Sequence, residues 1–229
     1  MDNSTLAIFI HELRNQCLYT EISFNVFNSS FEQKNPTGIF FSSQSTLLAA
    51  SQIACILWPT SSRSRKRGEA LRGLLNLDEK HPLNNNQVKG LWDKGDEKLE
   101  KWISGTKGLN VVFDHLGPID QIDANNFSEK NIYRLYDTKT SVYLYRGNGY
   151  NMQAIANAIA DIYTRVTAVH QKMFPDHYKK VEEQKLEAAN EKASKKPAKK
   201  TTKKPAKKTV KKPKEKAQAK KKAPAKKKK

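Results

Sequence analysis

A stretch of 26 residues without a charged side chain, Thr37 to Ser62, constrains the fold more than any other feature of the chain. A helix of this length could cross a bilayer. Polar side chains interrupt it, however, at Ser42, Ser43, Gln44, Ser45, Thr46, Ser51 and Gln52. Because hydrocarbon offers no partner for their hydroxyl and amide groups, the stretch favours a helix buried within a water-soluble bundle. The neighbouring segments must then supply the helices that enclose it.

Segments on both sides of this stretch have helical periodicity. From Ser4 to Phe31 the apolar residues are spaced mainly three, four or seven positions apart, which predicts a long helix. Shorter helices are predicted near 63–77 and over 88–103, and a long amphipathic helix over 151–174. Pro59 ends the uncharged helix. These segments together predict an α-helical bundle.

One segment has a different pattern. Aromatic and polar residues alternate on either side of "DTKT" between residues 131 and 146, which predicts a β-hairpin. The tyrosines of this hairpin, together with Arg134 and Arg146, have two interpretations. They form either its packed faces or a platform on which bases stack.

The predicted fold class is therefore mainly α, a helical bundle with a small β-hairpin insertion, followed by a disordered lysine-rich tail. We assign residues 1–175 to the bundle domain, with the hairpin near 131–146. Residues 176–192 form a charged linker helix and residues 193–229 the disordered basic tail. Without a basic leader, and with an acid at Asp2, the N-terminus predicts no secretory signal.

The tail repeats with a period of eight residues, as "KKPAKKTT" followed by "KKPAKKTV" shows. It contains 19 lysines and one glutamate, a net charge of +18, whereas the whole chain carries +19. Apart from Val210 it has no side chain larger than alanine that could be buried, so it cannot offset the entropy of folding. Such a chain can lay lysines along a polyanion and release the counterions condensed on its phosphates.

The sequence therefore predicts nucleic-acid binding without sequence preference, since nothing in the tail is arranged to contact base edges. The predicted binding residues are the tail lysines Lys195, Lys196, Lys199, Lys200, Lys203, Lys204, Lys207, Lys208, Lys211, Lys212, Lys220, Lys221, Lys222, Lys226, Lys227, Lys228 and Lys229. A second phosphate-contacting patch is predicted at Arg63, Arg65, Lys66 and Arg67, where the alternative is a solvated helix start.

The Lys/Pro/Ala repeat resembles the C-terminal tail of linker histones and of bacterial histone-like nucleoid proteins. This resemblance covers residues 193–229 and implies polyanion binding, with DNA as the partner and RNA as the alternative. It implies a cytoplasmic, nucleoid-associated protein in a bacterium and a nuclear one in a eukaryote. A solubility appendage, a ribosomal tether and an anchor to anionic lipid are the other interpretations of the tail. No acyl site or apolar face accompanies the lysines, so no membrane partner is predicted.

The body resembles HEPN-like helical bundle proteins over roughly residues 6–170. The resemblance lies in the order of "LRNQCLYTEI", "CILWP", "RGEALRGLLNL" and "VKGLWDKGDEKLEKW". That superfamily includes RNA-cleaving toxins and defence proteins, which use an Arg followed by a His. Lys89 and Leu91 stand where this pair is expected, so the resemblance implies a member that binds or scaffolds rather than cleaves.

An Arg/His pair does occur in "RVTAVH", where Arg165 and His170 have four residues between them. On a straight helix this spacing separates the side chains by about 140°. A packed histidine beside an exposed arginine is the structural interpretation, and a ribonuclease pair the catalytic one. The sequence has no phosphate-binding glycine loop and no nucleophile elbow, and we predict neither a metal site nor a cofactor.

The sequence predicts a non-enzymatic nucleic-acid-associated protein. The tail binds DNA or RNA, and the helical domain binds a protein partner or self-associates. The alternative is a HEPN-like ribonuclease or a defence- or toxin-type protein whose tail gathers RNA.

Overall fold

The computed structural model of the chain describes residues 2–107, 110–122 and 127–194. The protein is mainly α-helical with a small β-sheet, as predicted. A compact unit comprises Met1–Gln184. The predicted disordered tail lies outside the described residues from Lys195 onward.

Seven α-helices and four β-strands occur among the described residues. The helices are α1 (Asn3–Glu32), α2 (Pro36–Leu57), α3 (Arg65–Leu75), α4 (Asn86–Lys89), α5 (Gly95–Thr106), α6 (Met152–Met173) and α7 (Pro175–Ser194). The strands are β1 (Val112–Leu116), β2 (Ile132–Asp137), β3 (Val142–Tyr145) and β4 (Asn148–Asn151). The main core lies among α1, α2, α3 and α6, where it includes Ile10, Leu13, Ile53, Leu57, Leu71 and Ile162.

Short polar residues begin the two longest helices of the first half. Asp2 caps α1 by accepting a hydrogen bond from the Thr5 backbone N–H at 2.8 Å. Asn35 caps α2 in the same way by accepting from the Gly38 N–H at 3.3 Å, and Pro36 occupies the first turn. These caps satisfy amide groups that a helix cannot pair internally.

The uncharged stretch forms α2 as predicted. Among the described residues it is the one helix long and apolar enough to cross a membrane, but 61% of its most apolar window is buried inside the protein. It contacts α1, α3, α4, α6 and β1. Several of its hydroxyls bond to carbonyls, as Ser42 does with Gly38 at 2.7 Å and Ser51 with Lys89 at 3.2 Å. Core packing therefore accounts for its lack of charge.

Two arginines of α3 bond to the last carbonyls of α2. Arg67 donates to the carbonyl oxygens of Cys55 at 3.2 Å and Ile56 at 3.5 Å, and Arg72 donates to that of Leu57 at 2.5 Å. These carbonyls lie at the negative end of the helix dipole, where cations are favourable. The basic start of α3 thus has a structural role as a cap on α2.

The helix predicted over residues 88–103 is wrong in extent. It is divided into α4, which ends at Lys89, and α5, which begins at Gly95. Lys94 has φ 50°, a left-handed conformation that interrupts a helix. The Lys89 carbonyl accepts from Ser51 Oγ of α2, so the end of α4 is held on the core while α5 leaves in a new direction.

The predicted hairpin is present as β2 and β3, but it belongs to a four-stranded sheet in the order β1-β2-β3-β4. β1 pairs parallel to β2, with Val112 opposite Ile132, and β4 pairs antiparallel to β3. The sequence pattern predicts neither of the two outer strands. β1 has half-buried and exposed residues without a regular alternation, and β4 contributes only four residues.

A two-residue turn joins β3 to β4. Tyr145 pairs with Asn148, so Arg146 and Gly147 occupy the corner. Both have positive φ, 51° and 72°, as the type I′ hairpin turn requires. A Cβ atom at position 147 would lie 3.1 Å from the Lys130 Cα, which adds a steric reason for glycine.

A matched pair of glycines in α3 tests the packing of this helix on the end of α2. A Cβ atom on Gly68 would lie 2.6 Å from Pro59 Cδ and 2.9 Å from the Leu57 oxygen, whereas one on Gly73 would have nothing within 4 Å. We expect Gly68→Ala to lower the free energy of unfolding by about 1 to 3 kcal/mol, because overpacking forces the helices apart.

Gly73→Ala is the control, and we expect it to raise the free energy of unfolding by about 0.5 to 1 kcal/mol through helix propensity. Urea denaturation of both variants measures the difference. Equal effects of the two substitutions would contradict the close approach of α3 to the end of α2.

Candidate nucleic-acid interface

A cavity of about 590 Å³ opens between α4, α5 and the β3–β4 turn. We call it the cationic groove. It is lined by Asn86, Gln87, Gly90, Leu91, Lys98, Lys101, Trp102, Gly105, Lys130, Tyr145, Arg146, Gly147, Asn148 and Tyr150. Four of these are cations, three are aromatic, and none of the described lining residues is acidic. The volume is in the range of small-ligand sites.

Helix α5 supplies one wall of the groove. Lys98, Trp102 and Gly105 follow one another at four and three residues, which places them on one face of a helix. Lys101 borders the same face. A Cβ atom on Gly105 would meet nothing within 4 Å, so the glycine leaves the wall open next to the indole.

The opposite wall is the β3–β4 turn, and Arg146 ties it to α5. Its Nη1 donates to the Gly95 carbonyl oxygen at 2.9 Å, at the start of α5. Its guanidinium carbon lies 4.8 Å from the ring centroid of Tyr145 and 5.7 Å from that of Tyr133, within cation–π range. The arginine is therefore held in place with its positive charge beside the cavity.

The aromatic residues are fixed by contacts of their own. The Trp102 indole donates from Nε1 to the Lys130 carbonyl at 2.9 Å, and its ring centroid lies 5.1 Å from that of Tyr133. Tyr145 and Tyr150 are buried beneath the groove. Burial raises the pKa of both phenols, so they stay neutral and add no negative charge to the cavity.

This arrangement suits an anionic ligand with a flat apolar part. Lys101 and Lys130 are exposed and form no ion pair with any described residue. Their charges are available to phosphate oxygens, and the half-buried indole of Trp102 offers apolar surface. The amides of Asn86, Gln87 and Asn148 add hydrogen-bonding groups.

The sequence does not indicate this groove, because its walls come from segments far apart in the chain. The signals were present separately. Trp102 and Gly105 lie one turn apart on a lysine-rich helix, and "YRGNGY" contains the Arg146–Gly147 turn. Neither pattern indicates that the turn meets the helix.

The base-stacking platform suggested for the hairpin tyrosines is not open. Tyr143 is fully buried, where its ring centroid lies 6.3 Å from that of Phe40 and its hydroxyl accepts from Gln44 at 3.3 Å. Tyr136 and Tyr145 are buried as well, and Tyr133 is half-buried beneath arginines. Tyr136, Tyr143 and Tyr145, three of the four hairpin tyrosines, therefore belong to the packed faces of the hairpin.

The predicted basic patch divides into two groups. Arg63, Arg65 and Lys66 are exposed at the start of α3. Arg67 is half-buried, since it bonds to the end of α2 and its guanidinium carbon lies 5.0 Å from the Phe9 ring centroid. Three of the four are thus available to a phosphate.

Arg165 caps the end of α3. Its Nε bonds to both carboxylate oxygens of Asp161 at 2.9 and 3.0 Å, and its Nη1 donates to the carbonyl oxygen of Asn76 at 2.7 Å. Asp161 also faces His81 Nε2 at 3.5 Å. The arginine joins α6 to α3.

His170 contacts a different set of residues, which we call the histidine cluster: His11, Arg14, His170, His177 and Tyr178. The His170 ring is 1% exposed, and its Nε2 lies 3.1 Å from His11 Nδ1. Its Nδ1 lies 3.0 Å from the Tyr178 hydroxyl oxygen. Arg165 and His170 share no hydrogen-bonding or ion-pair partner among the described residues, so the structure does not join this pair.

The environment of His170 favours the neutral imidazole. Burial is the main cause, with the positive charge of Arg14 and the neighbouring His11 and His177 adding to it, and together they lower the pKa of His170 from 6.5 to about 4. His11 and His177 are exposed on either side of it. The cluster therefore presents two accessible imidazoles around one neutral, buried one.

No group of three or more side chains suited to a metal ion occurs within the described ranges. A scan against protein-family models and searches of curated proteins and solved structures found no match to the chain.

The lowered pKa of His170 predicts acid sensitivity. Between pH 6.5 and 4 the unfolded chain binds a proton at His170 that the folded protein excludes, so this contribution to stability is complete above 6.5 and falls as the pH falls. At pH 5 the loss is about 2 kcal/mol, which corresponds to a decrease in Tm of roughly 4 to 8 °C.

We expect the decrease in Tm from pH 7 to pH 5 to be smaller in His170→Gln by this amount, as measured by scanning calorimetry. His115→Gln, outside the cluster, is the control and should retain the wild-type decrease. An equal pH dependence of Tm in His170→Gln and wild type would contradict a neutral buried His170.

Proposed function

We propose that the protein is a non-enzymatic nucleic-acid-associated protein. Its lysine-rich tail holds it on DNA or RNA, and its helical domain contacts the same polymer through the cationic groove. The observation that carries this proposal is a cavity in which Lys98, Lys101, Lys130 and Arg146 meet three aromatic residues without an acidic one.

The distribution of charge supports the proposal. Nearly all of the excess positive charge belongs to the tail, since residues 193–229 have a net charge of +18 and the whole chain +19. In a body that is close to neutral, four cations around one cavity are a local concentration rather than a general excess. Such a concentration raises the local density of an anionic ligand.

The proposal extends to the remaining surface of the helical domain. Ile8, Tyr19 and Ile22 of α1 are exposed by more than half of their surface. Apolar side chains on one helix support the binding of a protein partner or of a second copy. The protein would then act wherever the nucleic acid lies, in a nucleoid or in a nucleus.

Salt titrations separate the contributions of the tail and the groove. We expect full-length protein to bind duplex DNA and RNA with a steep dependence of log K on log salt, because each neutralised phosphate releases counterions. Truncation after Ser194 keeps α7 whole and removes the tail. The truncated protein should bind single strands more weakly and with a shallower slope, as measured by fluorescence anisotropy.

In the truncated protein, Lys101→Gln with Lys130→Gln should reduce the slope for a single strand by about 1 to 1.5, which corresponds to two phosphate contacts. Lys80→Gln with Lys172→Gln is the matched control, because both lysines are exposed and lie outside the groove. Affinity and slope that are unchanged by the truncation and by both pairs of substitutions would overturn the proposal.

A second candidate function is the ribonuclease, and one observation in the histidine cluster favours it. If His170 donates from Nδ1 to Tyr178, its Nε2 accepts from His11 Nδ1, and the solvent-facing His11 Nε2 is then free to take a proton. Arg14 follows His11 by one helical turn and has a buried Nε without a hydrogen bond to any described residue. A base beside a cation is suited to attack on an RNA phosphodiester.

Incubation with labelled RNA decides between the two candidates. Under the first, full-length protein leaves RNA intact. Under the second it cleaves RNA, and His11→Gln lowers the rate by about a hundredfold or more, the usual contribution of a general base. Arg165→Ala and His115→Gln are the controls and should keep the rate, because neither residue belongs to the cluster. Cleavage that survives His11→Gln would exclude the cluster as its site.

A further inference from the structure

We propose that the cationic groove binds one unpaired nucleotide of a single-stranded nucleic acid, with the base inside the cavity and the flanking phosphates on its cationic rim. This inference rests on the proposed function and specifies the ligand of the same site. It makes the helical domain sensitive to bases, whereas the lysine tail responds only to charge.

The shape of the groove requires a ligand that enters it. The cavity of about 590 Å³ is partly enclosed, with Tyr145 and Tyr150 buried in its lining, so a small flat group can enter it from solvent. A phosphate group alone would leave the apolar part of this recess unfilled. A nucleobase is flat and apolar on both faces, and it matches the half-buried indole of Trp102.

Hydrogen-bonding groups suit the edges of such a base. Gln87 bonds from its amide to the Gly149 carbonyl at 3.4 Å, and Asn148 bonds to the Arg146 carbonyl at 3.2 Å. An amide has two N–H donors and one acceptor oxygen, so each side chain has hydrogen-bonding capacity beyond this contact. The amides can therefore contact the donors of an unpaired base edge.

The cations lie where the phosphates of the same strand would be. Lys98 and Lys101 border the recess on α5, and Lys130 and Arg146 border it on the opposite side. Each of the four belongs to the rim of the cavity in which the base lies. A strand that places a base in the recess thus has a cation on both sides for its flanking phosphates.

A duplex cannot use this recess without disruption. Its bases are stacked and paired, so that inserting one requires unstacking at a cost of a few kcal/mol. A single strand presents unstacked bases without that cost. The geometry therefore favours single strands over duplexes, and the tail does not share this preference.

The test compares a short labelled single strand, an abasic strand of the same length and charge, the corresponding duplex and a free mononucleotide, all with full-length protein. We expect the base-containing strand to bind about tenfold more tightly than the abasic one, the typical contribution of one stacked base. It should also quench tryptophan fluorescence. If the mononucleotide binds more weakly than the strand, the site takes nucleotides within a strand, as proposed. If the mononucleotide binds as tightly as the base-containing strand, the proposal that the site requires a strand is overturned.

Gly105→Glu places a longer, negatively charged side chain at the groove, and its Cβ atom would meet nothing within 4 Å, so we expect the fold to be retained. Gly73→Glu is the matched control, since it has the same free space, the same position near a helix end and the same change in net charge. We expect Gly105→Glu to abolish the tenfold preference for bases and Gly73→Glu to retain it. Gly105→Gln, which adds volume without charge, should weaken the preference as well.

Failure of the proposed function and failure of this inference give different results. If full-length protein binds none of the polymers at low salt, the proposed function fails together with this inference. If it binds abasic and base-containing strands equally, or if both glutamate variants behave alike, only the groove assignment is overturned and the tail accounts for the binding.

Discussion

The hydrogen bonds that arginine side chains donate to the last carbonyls of helices organise the bundle. Helix α2 is buried along most of its length, so the carbonyls at its end must find partners within the protein. Arg67 and Arg72 supply them from α3, and Arg165 of α6 supplies the partner for the carbonyl of Asn76 at the end of α3. Each of these arginines belongs to one helix and bonds to the end of another, so the same hydrogen bond caps one helix and holds the two helices together.

The cationic groove follows from the way the chain leaves this core. The Lys89 carbonyl is held by Ser51 of α2, and the left-handed Lys94 then allows α5 to start in a new direction. Arg146, at the tip of the β3–β4 turn, bonds to Gly95 at the start of that helix. The cationic groove is the space between α5 and the β3–β4 turn, which contact each other at the start of α5. Its basic side chains belong to the elements that form it, so the charge of the groove does not depend on the lysine-rich tail.

The parts of the fold that the sequence predicted are those with local signals. The helical period of Ser4 to Phe31 predicted α1, and the uncharged stretch predicted the buried helix α2. The "DTKT" hairpin is present as the paired strands β2 and β3. β1 was missed because its parallel pairing with β2 joins Val112 to Ile132 across a long connection that has no period of its own.

The candidate site was predictable to a smaller extent. Arg67 was a candidate for phosphate contact and Arg165 a candidate for catalysis, each beside a structural alternative. In the structure both side chains bond to carbonyls at helix ends, which their sequence positions do not indicate. The histidine cluster was hidden for the same reason, since His11 and His170 meet only when α1 and α6 pack together. Residue type indicates which chemistry is available. The long-range packing decides whether a charged side chain bonds to other groups of the protein or remains accessible to a ligand.

Under the proposed function, the tail and the groove make different physical demands on one ligand, which gives a nearly neutral body a reason to carry such a basic extension. Phosphate contacts by lysines are strong at low salt, fall steeply with added salt and are blind to bases. Stacking in a recess is weaker but depends on an unpaired base. If the tail and the groove bind the same strand, their being in one chain raises the effective concentration of that strand at the groove, so a groove of modest affinity suffices. In the proposed function, the basic extension sets how long the protein stays on a nucleic acid, and the groove sets where along it an unpaired nucleotide is held.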